Sequence, residues 1–448
     1  MDTFAQKMDA YLDRYCELYR FSGILRVTHR DEILYERCIG MADIEHEIPV
    51  TRDSVFTLYS MSKPFCAIGL LRLADLGLID PMAHPGNYVP EAKNFHPALT
   101  LLDLLQHCSG LPDFSQYNAE VRQTFLEEPF DLRKIIALLA EKPANFVPGA
   151  STHYANINFA LPALLIENVT GRSYADYMRE EVFLPLGMKT AVVDRQNLLV
   201  PHRVRGYDIS GKDFVAAGKD LELMFGAGDI LGTVEDIYCL NLAIKHRKLL
   251  KSETWEKILT PSPISPFGLG CSVVVRDGRT MIQHNGGHLG FRTLHQQFPA
   301  EDLDIILLSN CGFGNSRSTL SDAIQLAFFG KPETKQEEEI VMDAGFIPAL
   351  ADSVPQEDEE EFLPSLPPRA NLSLTEEMAY LGEYPGFRLE KAGEDFCLTR
   401  KNGQRLILYP TTRKTFANRY IDEEYPAWID PTGKGCILGQ QKKGPAGR

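Results

Sequence analysis

Tyr59-Ser60-Met61-Ser62-Lys63-Pro64-Phe65-Cys66-Ala67-Ile68-Gly69-Leu70-Leu71-Arg72-Leu73-Ala74-Asp75-Leu76-Gly77-Leu78-Ile79 is the stretch that decides the fold. From Phe65 onward the residues are almost all apolar, and Gly77 followed by Asp80-Pro81 stops the run, which predicts one buried helix. Proline has no amide donor and is tolerated only in the first helical turn, so Pro64 puts the helix start at about Ser60. Ser60 and Lys63 then share a helix face. Ser60 also sits at the positive helix end, where unpaired N–H groups favour an alkoxide or an oxyanion. A serine hydroxyl needs a base to become a nucleophile, and Lys63 can serve if burial and the positive end depress its pKa. Ser-x-x-Lys alone recurs by chance on surface helices, so its surroundings must decide.

Working outward, residues near 4 to 20 have helical spacing, and FSGILRVTH and EILYERCIG read as strands joined at Arg30–Asp31. From about 98 to 260 the apolar segments have helical period, including LTLLDLLQHC, DLRKIIALLAEK, FALPALLIENVTG and VEDIYCLNLAIKH. Strands return with FGLGCSVVVRD, RTMIQHNGG, FRTLHQQFP and LDIILLSN, and a helix around LSDAIQLAFFG follows. Strands on both sides of a helical block predict one mixed sheet that recruits both ends of the segment, an α+β fold. The expected division is 1–331 for this main domain with an all-α insert over about 65–260, 332–371 for a linker, and 372–448 for a small β-rich C-terminal domain. The linker is acidic and Pro-containing, with Gln356-Glu357-Asp358-Glu359-Glu360-Glu361, and reads as a solvated spacer. The C-terminal runs GFRLEK, DFCLTR, RLILYP and PAWID, with a turn at Asn402-Gly403, read as strands.

Acidic residues outnumber basic ones 61 to 46 over 448 residues, a net charge of -15 that argues against nucleic acid as a partner. No window reaches the run of about 18 apolar residues that a membrane span needs. Nine cysteines, scattered and without a Cys-x-x-Cys pair, read as reduced and mostly buried, and with an acid-bearing N-terminus that resembles no signal peptide they predict a cytoplasmic protein.

Two further elements carry chemistry. Tyr154-Ala155-Asn156 precedes a predicted helix, and an extended i, i+2 pair turns both side chains the same way. A tyrosine beside a lysine ammonium can act as a base, while an asparagine can steady that lysine and donate to a substrate carbonyl. His284-Asn285-Gly286-Gly287 lies on a predicted strand whose glycines let a ligand approach the backbone, so a substrate can add there as an edge strand.

These three elements, in this order, resemble the serine β-lactamase and penicillin-binding-protein superfamily, more closely its class C-related esterase and D-aminopeptidase branch. The likeness extends to LLDLLQHCSGLPDF, GAGDILGTVEDIYCL, PFGLGCSVVV and HNGGHLGF, and so covers roughly residues 20 to 330. It implies the β-lactamase/transpeptidase-like fold, a mixed antiparallel sheet flanked by helices with a helical subdomain. The family's Ser-x-x-Lys falls on Ser60 and Lys63, and its Tyr-x-Asn on Tyr154 and Asn156. Its third motif, Lys-Thr-Gly in many β-lactamases, is here His284-Asn285-Gly286. An always-charged lysine suits a substrate carboxylate, whereas a histidine is only partly protonated near neutral pH, which disfavours efficient β-lactamase action.

The resemblance implies acyl transfer. Ser60 attacks an ester or amide carbonyl, Lys63 with Tyr154 takes its proton, and water activated by Tyr154 releases the acid. The oxyanion is expected between the backbone N–H groups of Ser60 and Gly287, with Asn156, His284, Gly286 and Arg292 contacting substrate. No metal or cofactor is assigned. His284 and His288 echo a zinc spacing, but Asn285-Gly286-Gly287 breaks the helix that motif needs. His107 reads as a structural histidine at a helix end, and Cys66 as core packing. The expected partner is a small ester, amide or peptide, with an esterase or D-amino-acid peptidase ahead of a β-lactamase. Two alternatives are an acyl-binding sensor with little turnover, and an interaction protein whose C-terminal domain carries the function.

Overall fold

Strands from the two ends of the first 330 residues pair directly in the computed structural model, which describes residues 3–117, 121, 131–195, 198–217, 224–311, 316–330, 369–401, 403–412, 415–418, 424–429, 435–437 and 440–441. β1 (Gly23–His29) and β2 (Glu32–Ile39) form a hairpin, and β3 (Ser272–Arg276), β4 (Arg279–His288), β5 (Phe291–Phe298) and β6 (Leu303–Ser309) form a meander. The sheet order is β3-β4-β5-β6-β1-β2, antiparallel throughout, with Gly23 opposite Ser309 where the two segments meet. The pattern of burial explains the order. β6 is buried at every position and takes the interior, whereas β2 has Tyr35 alone buried and takes an edge. Arg30 and Asp31, both at positive φ, make the β1–β2 turn.

One face of the sheet is covered by α1 (Phe4–Leu18) and the late helix Ser316–Phe329, around Met8, Leu12, Leu25, Val27, Phe298 and Ile305. The other face looks onto the larger core, built round α2 (Lys63–Asp75) and α3 (Ile157–Thr170). Both helices are apolar nearly all round, with every residue from Ile157 to Ile166 buried, so they can lie only inside.

The block expected to be wholly helical also contains short strands. Phe56–Thr57 and Val192–Val193 flank Ile230–Gly232, and Tyr207–Ser210 pairs with Asp213–Ala216 as a hairpin. Pieces of two to four residues show no periodicity, and their register comes from partners far along the chain. LTLLDLLQHC is helical only over Leu101–Leu105, started by a Thr100/Asp103 capping box and followed by His107 in the left-handed region at φ 57°.

An eight-stranded antiparallel meander occupies Gly382–Gln441, with its own core of Tyr380, Phe387, Leu398, Leu408 and Phe416. It meets the main domain at the 207–216 hairpin, where Ile209 joins its core and Gln404 Nε2 donates to the Ile209 carbonyl at 3.0 Å. The acidic stretch expected as a linker lies outside the described residues over 332–368, as do Asn402 of the expected turn and 218–223. No described helix is long and apolar enough to cross a membrane.

Candidate active site

The turn that carries Ser60 is held from two sides. Tyr59–Ser62 forms a 3-10 turn that runs into α2, with Pro64 in the first turn of the helix, so Ser60 lies just ahead of the α-helix proper. Tyr59 has φ 48°, a left-handed conformation that costs an L-residue roughly 1–2 kcal/mol. Its surroundings enforce it: the ring packs edge-on against His288 at 5.4 Å and against Phe291 at 5.8 Å. The Leu58 carbonyl accepts from Thr293 Oγ1 at 2.8 Å, the Leu58 amide donates to the Ile230 carbonyl at 2.9 Å, and the Ile230 amide donates to Ser62 Oγ at 3.0 Å. A Cβ on Gly286 would lie 2.0 Å from the Leu58 oxygen, so only glycine lets β4 come this close to the turn.

Lys63 is fully buried, and burial pushes its ammonium down to about 7. Its Nζ is within hydrogen-bond reach of Asn156 Oδ1 at 2.9 Å, the Ala227 carbonyl at 2.9 Å and Ser60 Oγ at 3.0 Å. Two of the three are carbonyl oxygens and can only accept. Neutral Lys63 has two hydrogens, both claimed by these carbonyls, so its lone pair is left facing Ser60 and the serine hydroxyl becomes the donor. Asn156 Oδ1 and Ala227 O therefore orient the amine so that it can accept a proton from Ser60.

Tyr154 lies beside this group, its ring centroid 4.7 Å from Lys63 Nζ. Asn156 is not extended as the sequence suggested. At φ -74°, ψ -29° it is already helical, and it reaches Lys63 as the first residue of the turn into α3. His107 supports Tyr154 from behind: the two rings stack at 4.3 Å and 28°. Its Nδ1 accepts from the Ala155 amide at 3.2 Å, which puts the ring proton on Nε2, and burial holds the imidazole well below its usual pKa, hence neutral.

The third motif lies on β4, where β3 pairs only as far as Gln283, so that among the described strands none is paired with the outer edge beside 284–288. Gly287 is exposed on this edge. His284 is buried, with Nδ1 2.7 Å from the Asn285 carbonyl; since that oxygen can only accept, Nδ1 carries a hydrogen. Phe267 stands 6.3 Å from the His284 ring and 6.1 Å from that of Tyr154, giving the cleft an aromatic side.

Arg292 is not brought to Lys63 with the others. It stands opposite Gly287, but its neighbour Thr293 points to the Leu58 side, so strand alternation turns Arg292 to the other face, where it donates to the Phe291 carbonyl at 2.7 Å. Cys66 is buried and its thiol is pushed up to about 12, which makes it inert packing.

Residues missed in the sequence complete the site. The buried Asp113 carboxylate accepts from the amides of Asn156 at 2.7 Å and Ile157 at 3.1 Å, capping α3 from a distance. Its charge also opposes the lowering of the Lys63 pKa. Ala227 contributes only a backbone oxygen, which no sequence pattern signals. Asp113 lies in LPDF, where an acid flanked by apolar residues was the available sign.

Comparison with known proteins agrees with this architecture. The family model described as Beta-lactamase matches residues 4–328. The chain is 25% identical over 321 residues to Penicillin-binding protein 4* of Bacillus subtilis, covering 66% of this chain and 69% of that one. It is 28% identical over 319 residues to a D-aminopeptidase of Cereibacter sphaeroides, covering 68% of this chain but 59% of that one. Among solved structures, the octameric penicillin-binding protein homologue from Pyrococcus abyssi aligns with a TM-score of 0.63 at 18% identity, over 97% of this chain and 98% of that one. The D-amino acid amidase from Ochrobactrum anthropi SV3 aligns at 0.60 and 21% identity, over 72% and 97%. With the family matched over most of its length and the sheet and helices of that fold in place, the chain belongs to the β-lactamase family of serine hydrolases.

Proposed function

We propose that Ser60 is the acylated nucleophile of a hydrolase acting on small amides or peptides of D-amino acids, or on small esters. The observation that carries this is the Lys63 amine, buried, pushed down to about 7, and held by two carbonyl acceptors with its third direction 3.0 Å from Ser60 Oγ. Lys63 takes the serine proton as Ser60 attacks. Tyr154, whose ring lies beside Lys63, passes it through its hydroxyl to the leaving group and later activates the deacylating water. The N–H groups of Ser60 and Gly287 receive the oxyanion, a pair whose single loss typically costs about 2.7–4 kcal/mol of barrier. Asn156, His284 and Gly286 line the cleft, and Arg292 stays outside the reacting group.

The substrate class is supported by the D-aminopeptidase and D-amino acid amidase among its relatives and structural neighbours, and by the absence of a permanent cation at position 284. A cytoplasmic location belongs to the same proposal, supported by eight of the nine cysteines standing as free thiols.

A fluorescent fluorophosphonate probe applied to wild type and Ser60→Ala tests the assignment, with p-nitrophenyl acetate, D-alanine p-nitroanilide and nitrocefin as turnover substrates. Label and turnover both vanish in Ser60→Ala if the proposal holds. Turnover that survives in Ser60→Ala overturns it, and labelling without turnover on any substrate favours an acyl-binding sensor.

A further inference from the structure

Asp229 is a second buried ionisable group beside the proposed base, and nothing in the mechanism uses it. It is 3% exposed. Its Oδ2 accepts from the Gly226 amide at 2.9 Å, while Oδ1 has no partner among the described residues. An unpaired buried carboxylate oxygen is costly to stability, so the group is retained against a free-energy penalty.

Its position suggests what it does. The turn 224–230 wraps the nucleophile: Ala227 offers its carbonyl to Lys63 Nζ, the Ile230 amide binds Ser62 Oγ, and the Asp229 carbonyl accepts from the Asp194 amide at 2.6 Å. Gly226 sits at φ 69°, and a Cβ there would lie 2.5 Å from the Phe159 carbonyl, so the turn has little room to shift. The Asp229 side chain closes this turn on itself, three residues back to Gly226. Its charge faces Lys63 and Cys66 on α2, Tyr174 on the helix Tyr174–Met178, and Asp194, which is itself paired with Arg203. From the other side Lys63 faces Asp113, Tyr154 and the neutral His107.

We infer that Asp229 is a positioning residue for Lys63: its carboxyl holds the turn that presents the Ala227 carbonyl, and its ionisation sets how readily the lysine gives up its proton. This rests on Lys63 serving as base for Ser60. Burial raises the Asp229 carboxyl to about 7, the same region as Lys63, and its charge joins those of Asp113 and Cys66 in opposing the lowering of the lysine. The sign follows from charge. As pH rises, Asp229 becomes an anion and makes the neighbouring ammonium harder to deprotonate, which spreads formation of the neutral lysine over a wider pH range.

The test is the acid limb of kcat/KM in wild type, Asp229→Asn and Asp229→Ala, with fluorophosphonate labelling of each as a check on Ser60. Asparagine keeps an acceptor for the Gly226 amide but removes the charge, so the midpoint moves down by about half a pH unit or more. Alanine moves it the same way and also lowers kcat, because the turn loses its tether. Wild type, which needs no variant to fold, shows a limb broader than a single-proton curve. A wild-type limb that follows a single-proton curve, or a midpoint that stays or rises in a labelled variant, overturns the inference. If wild type takes no label, or Ser60→Ala still turns over, it is the proposed nucleophile that fails instead.

Discussion

Asn156 Oδ1 accepts a hydrogen from Lys63 Nζ at 2.9 Å, and a carbonyl oxygen in that place orients the amine without adding charge. Asn156→Asp keeps the shape but places an anion against Lys63, alongside Asp113. The ammonium is then favoured, and kcat/KM near pH 7 falls by about tenfold or more, with recovery as pH rises. A pH profile with the same midpoint as wild type would rule out this role for Asn156.

Lys63 is also a stability statement. Its pKa is about 7 folded against 10.5 in an ordinary lysine, so between those values the unfolded chain binds more protons and stability rises with pH. Asp229, at about 7 folded against 3.8, acts oppositely, and its contribution falls as pH rises from about 4 to 7. Lys63→Met removes the first effect. Urea denaturation at pH 7.5 should find this inactive variant more stable than wild type, on the order of 2 kcal/mol, with the gap closing toward pH 10. A gap that widens with pH contradicts the assignment.

Asp113→Ala removes the acceptor of two amides at the start of α3. The loss is about 1–2 kcal/mol of stability, as for other helix caps. Because Asn156 is one of the two residues held, activity falls by more than stability alone accounts for, about tenfold in kcat. Thermal unfolding and steady-state kinetics on one preparation separate the two effects, and an intact kcat would show that Asn156 keeps its place unaided.

Gly286→Ala puts a methyl where the Leu58 carbonyl stands 2.0 Å away, with Thr293 Oγ1 at 2.5 Å. Either the strand retreats from the nucleophile turn or the turn gives way, and both remove probe labelling of Ser60. Gly287→Ala, on the exposed edge, leaves the fold intact. Equal melting temperatures for the two variants would contradict the close approach described here.

The parts of this site that were legible in the sequence share one property: their geometry is local. Ser60 and Lys63 three residues apart, Pro64 fixing the helix start, and Tyr154 two residues before Asn156 are readable because short-range backbone geometry sets where side chains go. The strand meander of 272–309 and the buried α2 were legible for the same reason. Asp113, Ala227, Asp229 and Thr293 reach the site from distant segments, through one backbone oxygen or one side-chain bond each, and no periodicity marks such a meeting. The short strands of 192–232 escaped because two to four residues carry no pattern. The backbone of Asn156 was misjudged because α3 starts one residue earlier than an extended Tyr-x-Asn requires.

The pairing of Gly23 with Ser309 has a consequence for how the protein is made. A ribosome delivers Ser60 and Lys63 early, but the strand that carries Gly287, and β6 that closes the sheet, emerge only after the helical block. Until then β1 has only β2 beside it in the sheet, α2 has its helical partners but not the sheet, and a sheet that joins such distant segments folds slowly. The nascent chain therefore carries Ser60 without the strand of Gly287 beside it until the residues between them have been made. A message cut short before the codon for Ser309 yields a sticky product for chaperones and proteases rather than a partly active hydrolase.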